Sequence, residues 1–292
     1  MEIEKANTVC SVRLLHIAYS EQTAGQKPEG FELLSNLENA RPDWFEYWPI
    51  RNWLLATDLG QADFVGFFSP RFTEKTGLAS MEIRRWFTKN CLVPSANGSE
   101  PIALFSPQPE ISAFFRNPFE AEDYFSPGFL RCTSSTFEAL GIDKKPEDLV
   151  IDSSMTVFSN YWIAPKSFIQ AWFDLAERLF AICELDSIQA AKLGLLCETN
   201  YPGNVEFKVF MMERLASMVL FLDSLCEHPK WRPVAYNPFK LASSALFHEF
   251  KAEAVICDGL KRAYRQSGYP EYLLMFESIR NPILQTIRER HR

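Results

Sequence analysis

Apolar and polar residues alternate between two periods along this chain. "SVRLLHIAY" (11–19) is a short, nearly continuous apolar run, which predicts a buried strand leading into the polar loop "SEQTAGQKPEG". "RPDWFEYWPIRNWLLAT" (41–57) places apolar side chains at 44, 45, 47, 48, 50, 53, 54 and 55. That spacing predicts a helix, with Asp43 as its N-cap and Pro49 as the residue out of keeping. "ADFVGFF" (62–68) predicts a second buried strand, and "SMEIRRWFTKN" (80–90) a short helix capped by Ser80. "PIALFSP" (101–107) reads as a strand ended by Ser-Pro, and 108–150 as loops and short helices. "TVFSNYWIAP" (156–165) predicts another strand, which Pro165 ends. The next helix carries one apolar stripe at 168, 169, 172, 173, 175, 176, 179 and 180. "VEFKVFMMERLASMVLFLDSL" (205–225) is apolar nearly all round and predicts a buried helix.

Short strands alternating with helices indicate an α/β fold, a mixed sheet flanked by helices. A Pro-rich stretch, 229–238, follows the buried helix and separates 1–228 from a helical C-terminal extension, 229–292, packed on the same domain. No repeat or low-complexity tract interrupts the pattern.

Composition narrows the chemistry. With 292 residues, 47% hydrophobic and 23% charged, the chain has ample core material. The 25 Phe either fill that core or line a groove. A net charge of −7 and no Lys/Arg-rich run argue against nucleic acid as a partner. Seven cysteines without a CxxC pair, and four histidines without HxxH spacing, favour free thiols in a reducing compartment over a zinc site. The first residues lack the basic start and apolar run of a signal peptide, and no 18-residue apolar segment is present, so a cytoplasmic location is expected. GxGxxG, GxxxxGK[ST] and GxSxG are all missing, which argues against a dehydrogenase, a P-loop enzyme and a serine hydrolase. The acid pairs Glu122-Asp123 and Glu147-Asp148 read as solvated surface.

Three segments, in order, are "WFEYWPIRNWLL" leading to "ADFVGFFSPRF", "FSNYWIAPKSFIQAWFDLAERLF", and "YPGNVEFKVFMMERLASMVLFL". Together they resemble bacterial glycosyltransferases of cell-surface polysaccharide clusters, the DUF4422-like group, over roughly residues 12–225. The group's "HYRR" stands here as "FSPR", so its histidine is missing while Arg71 matches one of the paired arginines. The resemblance implies a GT-A-like nucleotide-sandwich fold in 1–228. It further implies transfer of a sugar from a UDP- or GDP-linked donor to a glycan or lipid-linked acceptor, with possible peripheral membrane association. Many such enzymes hold a divalent Mn or Mg ion with a DxD motif. This chain has no DxD, and no metal ligand is assigned.

After Phe68, Ser-Pro ends the strand and Arg71, Thr73, Lys75 and Thr76 come in quick succession. Arg71 and Lys75 would meet a diphosphate, with hydrogen bonds from Ser69, Thr73 and Thr76; otherwise they lie on a solvated loop paired with Glu74. Ser159 and Asn160 interrupt an apolar strand, and either bond the backbone or face a ligand. Tyr19 and Ser20 end the first strand, where Tyr19 would stack on a base or pack in the core. For the general base, Asp152 is first choice and Glu46 second, unless Glu46 pairs with Arg51. Glu213 and Arg214 read as structural. The alternative function is a non-catalytic nucleotide- or carbohydrate-binding protein, or an assembly scaffold, on the same fold.

Overall fold

The computed structural model describes residues 11–59, 64–93, 95–241 and 248–290. Six strands form one mixed sheet: β1 Val12–Ala18, β2 Glu32–Ser35, β3 Phe64–Phe68, β4 Glu100–Leu104, β5 Trp162–Pro165 and β6 Trp231–Ala235. Their order is β2-β1-β3-β5-β4-β6. β1 pairs parallel with β2 and β3, and β4 parallel with β6, while β5 runs antiparallel to both β3 and β4. The helices are α1 Glu21–Gly25, α2 Tyr47–Ala56, α3 Phe72–Thr76, α4 Ser80–Asn90, α5 Pro109–Phe114, α6 Pro118–Phe125 and α7 Phe129–Ala139. Then come α8 Lys166–Leu185, α9 Ser187–Leu193, α10 Phe207–Ser224, α11 Lys251–Ser267 and α12 Glu271–Arg290.

Strand periodicity divides the core. Leu15, Ile17, Val65, Phe67, Trp162 and Ala164 point to one face, where they meet α2, α8 and α10 through Ile50, Trp172 and Leu215. Leu14, Phe64, Phe68, Tyr161 and Ile163 point to the other, against Phe72, Ile83 and Phe87 of α3 and α4. A third cluster joins α5 and α6 to α11 and α12 through Phe114, Phe115, Cys257 and Phe276. At the sheet centre, a Cβ on Gly66 would lie 2.8 Å from Ile163 Cγ1 and 2.9 Å from the Trp162 carbonyl oxygen, so only glycine fits there.

Several expected elements shift. The strand predicted over 156–165 begins only at Trp162, because Ser159 and Asn160 take left-handed backbone angles (φ 58° and 53°) that turn the chain. β6 falls inside the Pro-rich stretch and completes the sheet beside β4, where an edge position tolerates Pro233. β2 is an edge strand with one buried residue, too polar to stand out in the sequence. Asp43 is no N-cap: a 3-10 turn, Pro42–Trp44, precedes α2, and Asp43 binds Arg41 and Lys208 instead. Pro49 sits in the first turn of α2, where its missing N–H costs little. Ser80 is the first residue of α4, and Glu82 caps the helix by accepting from the Ala79 N–H at 3.1 Å.

Candidate functional site

Because β1, β3 and β4 run the same way and β5 runs against them, their loops meet on one edge of the sheet. Tyr19 follows β1, Ser69-Pro70-Arg71 follow β3, Pro107-Gln108 come shortly after β4, and Phe158-Ser159 precede β5. The chain leaves β1 for β2 on one side, then returns to β3 on the other. In open α/β sheets the crevice at such a reversal, at the strands' carboxyl ends, is the general ligand position. A cavity of about 1320 Å³ lies there, lined among others by Tyr19, Glu46, Ser69, Arg71, Lys75, Glu110, Ser159, Tyr201, Phe210 and Glu213.

Two cations reach it from α3 and the turn before it. The Lys75 ammonium donates to Ser159 Oγ at 2.9 Å and lies 5.7 Å from the centre of the Tyr161 ring. Tyr161, itself buried, shares a 2.5 Å hydrogen bond with Ser69 Oγ. These contacts tie the turn after β3 to the turn before β5. Arg71 forks onto Glu74, with Nη2 to Oε1 at 2.8 Å, and both side chains are more than half exposed.

Opposite the cations, Glu46 at the start of α2 and Glu213 on α10 line the same cavity. Burial raises the Glu213 carboxyl to about 7, and the nearby Glu46 carboxylate pushes it the same way. Burial likewise raises Glu46, with Lys75 opposing. Two neighbouring carboxylates that cannot both ionise cheaply titrate as a pair, each pushed towards its protonated form. The Tyr19 hydroxyl is buried without a hydrogen-bond partner, and its pKa is raised by burial and then by Glu46.

The other expected residues lie elsewhere. Asp152 is fully buried outside the cavity lining: Arg265 Nη1 binds its Oδ2 at 2.6 Å and the Ser154 N–H its Oδ1 at 2.8 Å. Burial works to raise its pKa, but these bonds hold it below the usual carboxylate range. It anchors α11 and is not placed to take a proton from a ligand. Ser20 caps α1, accepting from the Thr23 N–H at 3.2 Å. Thr76 is buried and donates back to the Phe72 carbonyl at 2.8 Å. Asn160 is buried beside the cavity, its Oδ1 without a partner, and is not among the lining residues. Glu46 does not pair with Arg51, whose guanidinium binds Glu177 at 2.7 Å.

Sequence reasoning read Glu213 as structural, yet it faces the cavity, while its neighbour Arg214 is the structural partner. Arg214 is buried and binds Glu122 at 2.6 Å and the Pro118 carbonyl at 2.9 Å. Glu122 is therefore buried and paired, not solvated surface. A helical period could have separated the two: a charge beside another in a fully apolar helix must face a different direction. Glu110, Tyr161 and Tyr201 carried no signal in the sequence.

Among the described residues no group of three or more His, Cys, Asp or Glu converges in a way that would hold a metal ion, and no helix is long and apolar enough to cross a membrane. No protein-family model, curated protein or solved structure matches the chain.

Proposed function

We propose that this cavity is the active site of a glycosyltransferase that moves a sugar from a nucleoside diphosphate donor to a hydroxyl of a glycan or lipid-linked acceptor. The observation that carries the reading is the convergence of Lys75 and Arg71 with the Glu46–Glu213 carboxylate pair at the carboxyl ends of β1 and β3. One antiparallel strand inside an otherwise parallel sheet supports a GT-A-like, nucleotide-sandwich description.

The chemistry divides between the two walls. The acceptor oxygen attacks the anomeric carbon while the bond to the diphosphate oxygen breaks. The acceptor's proton passes to the Glu46–Glu213 pair, whose raised Glu213 suits a base working near pH 7. The departing diphosphate gathers negative charge, which the Lys75 ammonium and the Arg71 fork meet. Among the described residues the side chains that face the diphosphate in this reading are the cations Lys75 and Arg71. To reach phosphate, Arg71 must exchange Glu74, and an exposed pair of this kind contributes little to stability, so the exchange is cheap.

Calorimetry with UDP and GDP, with and without manganese, tests donor binding. Micromolar affinity is expected for one of them, and no heat under any condition overturns the reading. Release of nucleoside diphosphate from a panel of nucleotide sugars then tests turnover. The Arg71–Glu74 pair, closed in this structure, favours a second reading: a nucleotide- or carbohydrate-binding protein without turnover. Binding without release would select it.

A further inference from the structure

The cavity's charges do not balance, and the imbalance is localised. Five carboxylates line it, Glu46, Glu74, Glu110, Glu122 and Glu213, against three cations, Arg71, Lys75 and Arg214. Arg71 is taken by Glu74 and Arg214 by Glu122. Lys75 faces Glu46 and Glu213, whose pKa values it lowers. Glu110 is left over.

Glu110 is only 7% exposed, and its Oε2 is buried without any hydrogen-bond partner. It stands in the first turn of α5, directly after Gln108, a non-glycine residue held at φ 64°. That left-handed turn costs energy and swings Glu110 to the cavity wall. A buried carboxylate normally finds an N–H, an O–H or a cation, because leaving it unsatisfied is expensive. Among the described residues no protein group donates to that oxygen, which leaves the place open to a donor on a ligand.

We propose that Glu110 recognises a protonated primary amine on the sugar bound in this cavity, making the enzyme selective for an amino sugar. An ammonium brings three donors and the positive charge that the lining lacks, whereas a sugar hydroxyl brings only one donor. The identification of the bound group as a sugar rests on the transferase reading; the recognition of an amine by Glu110 does not. A second cavity, about 640 Å³ between α6 and α12, orphans no carboxylate oxygen; its unpartnered buried atom is the Arg280 Nε, a donor that calls for an acceptor and not for a cation. There Arg280 binds Glu120, and Asp123 accepts from the Gly128 and Leu130 amides.

The test compares glucosamine, glucose and N-acetylglucosamine by saturation-transfer NMR titration of the full chain, without nucleotide. Wild type should bind glucosamine at least about tenfold more tightly than the other two, the scale of one charge-assisted contact. Glu110→Gln should erase the preference, bringing glucosamine to the affinity of glucose in the same variant. If that variant does not fold, Glu110→Asp, which withdraws the carboxylate by one methylene, should narrow the preference. Equal binding of all three sugars to wild type overturns the proposal, as does a preference that survives either substitution in folded protein. Manganese binding that displaces glucosamine and depends on Glu110 would also overturn it, by making the recognised cation a metal. Failure to bind UDP or GDP would remove the transferase reading alone, since the amine comparison uses no nucleotide.

Discussion

At the scale of single residues, the site separates into groups whose removal should read out differently. Arg71→Ala should lose a charge-assisted phosphate contact worth roughly 1.5–3 kcal/mol. Diphosphate affinity, measured by calorimetry, should therefore fall about ten- to a hundredfold. Arg71→Lys should recover part of it, because an ammonium cannot form the bidentate contact. Glu213 makes a stronger prediction, since its carboxyl is raised to about 7 by burial and by Glu46. As a base it must be deprotonated, so kcat/KM should rise as pH increases through about 7. Its effect on folding has the opposite sign. The unfolded chain releases this proton near the ordinary glutamate value, and the folded chain holds it longer. Stability therefore falls as pH rises through that window. Glu213→Gln should lower turnover about 10²–10⁴-fold yet raise the melting temperature at pH 8. A residue that was merely structural would lose both.

The elements owe their positions to contacts far apart in the chain. Gly66 allows β3 to pack against β5 with the Trp162 carbonyl oxygen 2.9 Å from where a Cβ would stand. Gly66→Ala should cost about 1–3 kcal/mol by overpacking, read as a lower denaturant midpoint at unchanged slope. α11 is bound to the segment before β5 by buried polar groups. The Lys261 ammonium donates to the carbonyls of Ser112, Phe115 and Ile151, and Asp258 accepts from Ser153 N and Oγ, both at 2.7 Å. Asp152 belongs to the same junction through Arg265. Asp152→Asn should destabilise the fold by roughly 1–3 kcal/mol through the loss of a buried charged hydrogen bond. Nucleotide affinity at unchanged folding should stay at the wild-type value, as calorimetry would check.

For the whole molecule, acid should weaken the fold in two stages. His16 is buried with Nε2–H donating to the Thr23 carbonyl at 2.9 Å, and burial lowers its pKa. The unfolded chain then takes up a proton near pH 6.5 that the folded chain refuses, so stability declines as pH falls below that value. The second stage involves the carboxylates joining the 42–46 turn to α8 and α10. Burial would raise Asp43, but Arg41 and Lys208 hold it near 2, and Arg41 also binds Glu184 at 2.6 Å. This contribution is present above the ordinary carboxylate range and is lost as pH falls from about 4 towards 2. Between about pH 7 and 4 Glu213 acts in the opposite direction, so chemical denaturation from pH 8 to 2 should show both stages in a Glu213→Gln background, where adding His16→Gln should remove only the first.

Local pattern alone determined a good deal here. The apolar runs at 12–18 and 64–68 read as buried strands, because they are short, rich in β-branched and aromatic residues and followed by turn residues. The stripe of α8 and the all-round apolarity of α10 fixed those helices and their degree of burial. The turn after β3 was also legible, since Ser-Pro must stop a strand and the cations following it must emerge there. What the sequence left open depended on direction and on distant partners. Glu213 and Arg214 are adjacent ionisable residues in one apolar helix, and only the placement of α10 turns one to the cavity and the other to Glu122. Asp152 precedes β5 just as a catalytic acid would, and only the return of α11 supplies the Arg265 that occupies it. Glu110 sits in an unremarkable loop-and-helix stretch until the sheet order brings the end of β4 to the same edge as that of β3, with only β5 between them. A residue's burial and its partners come from chain segments tens to more than a hundred positions away, and those segments meet only when the sheet assembles.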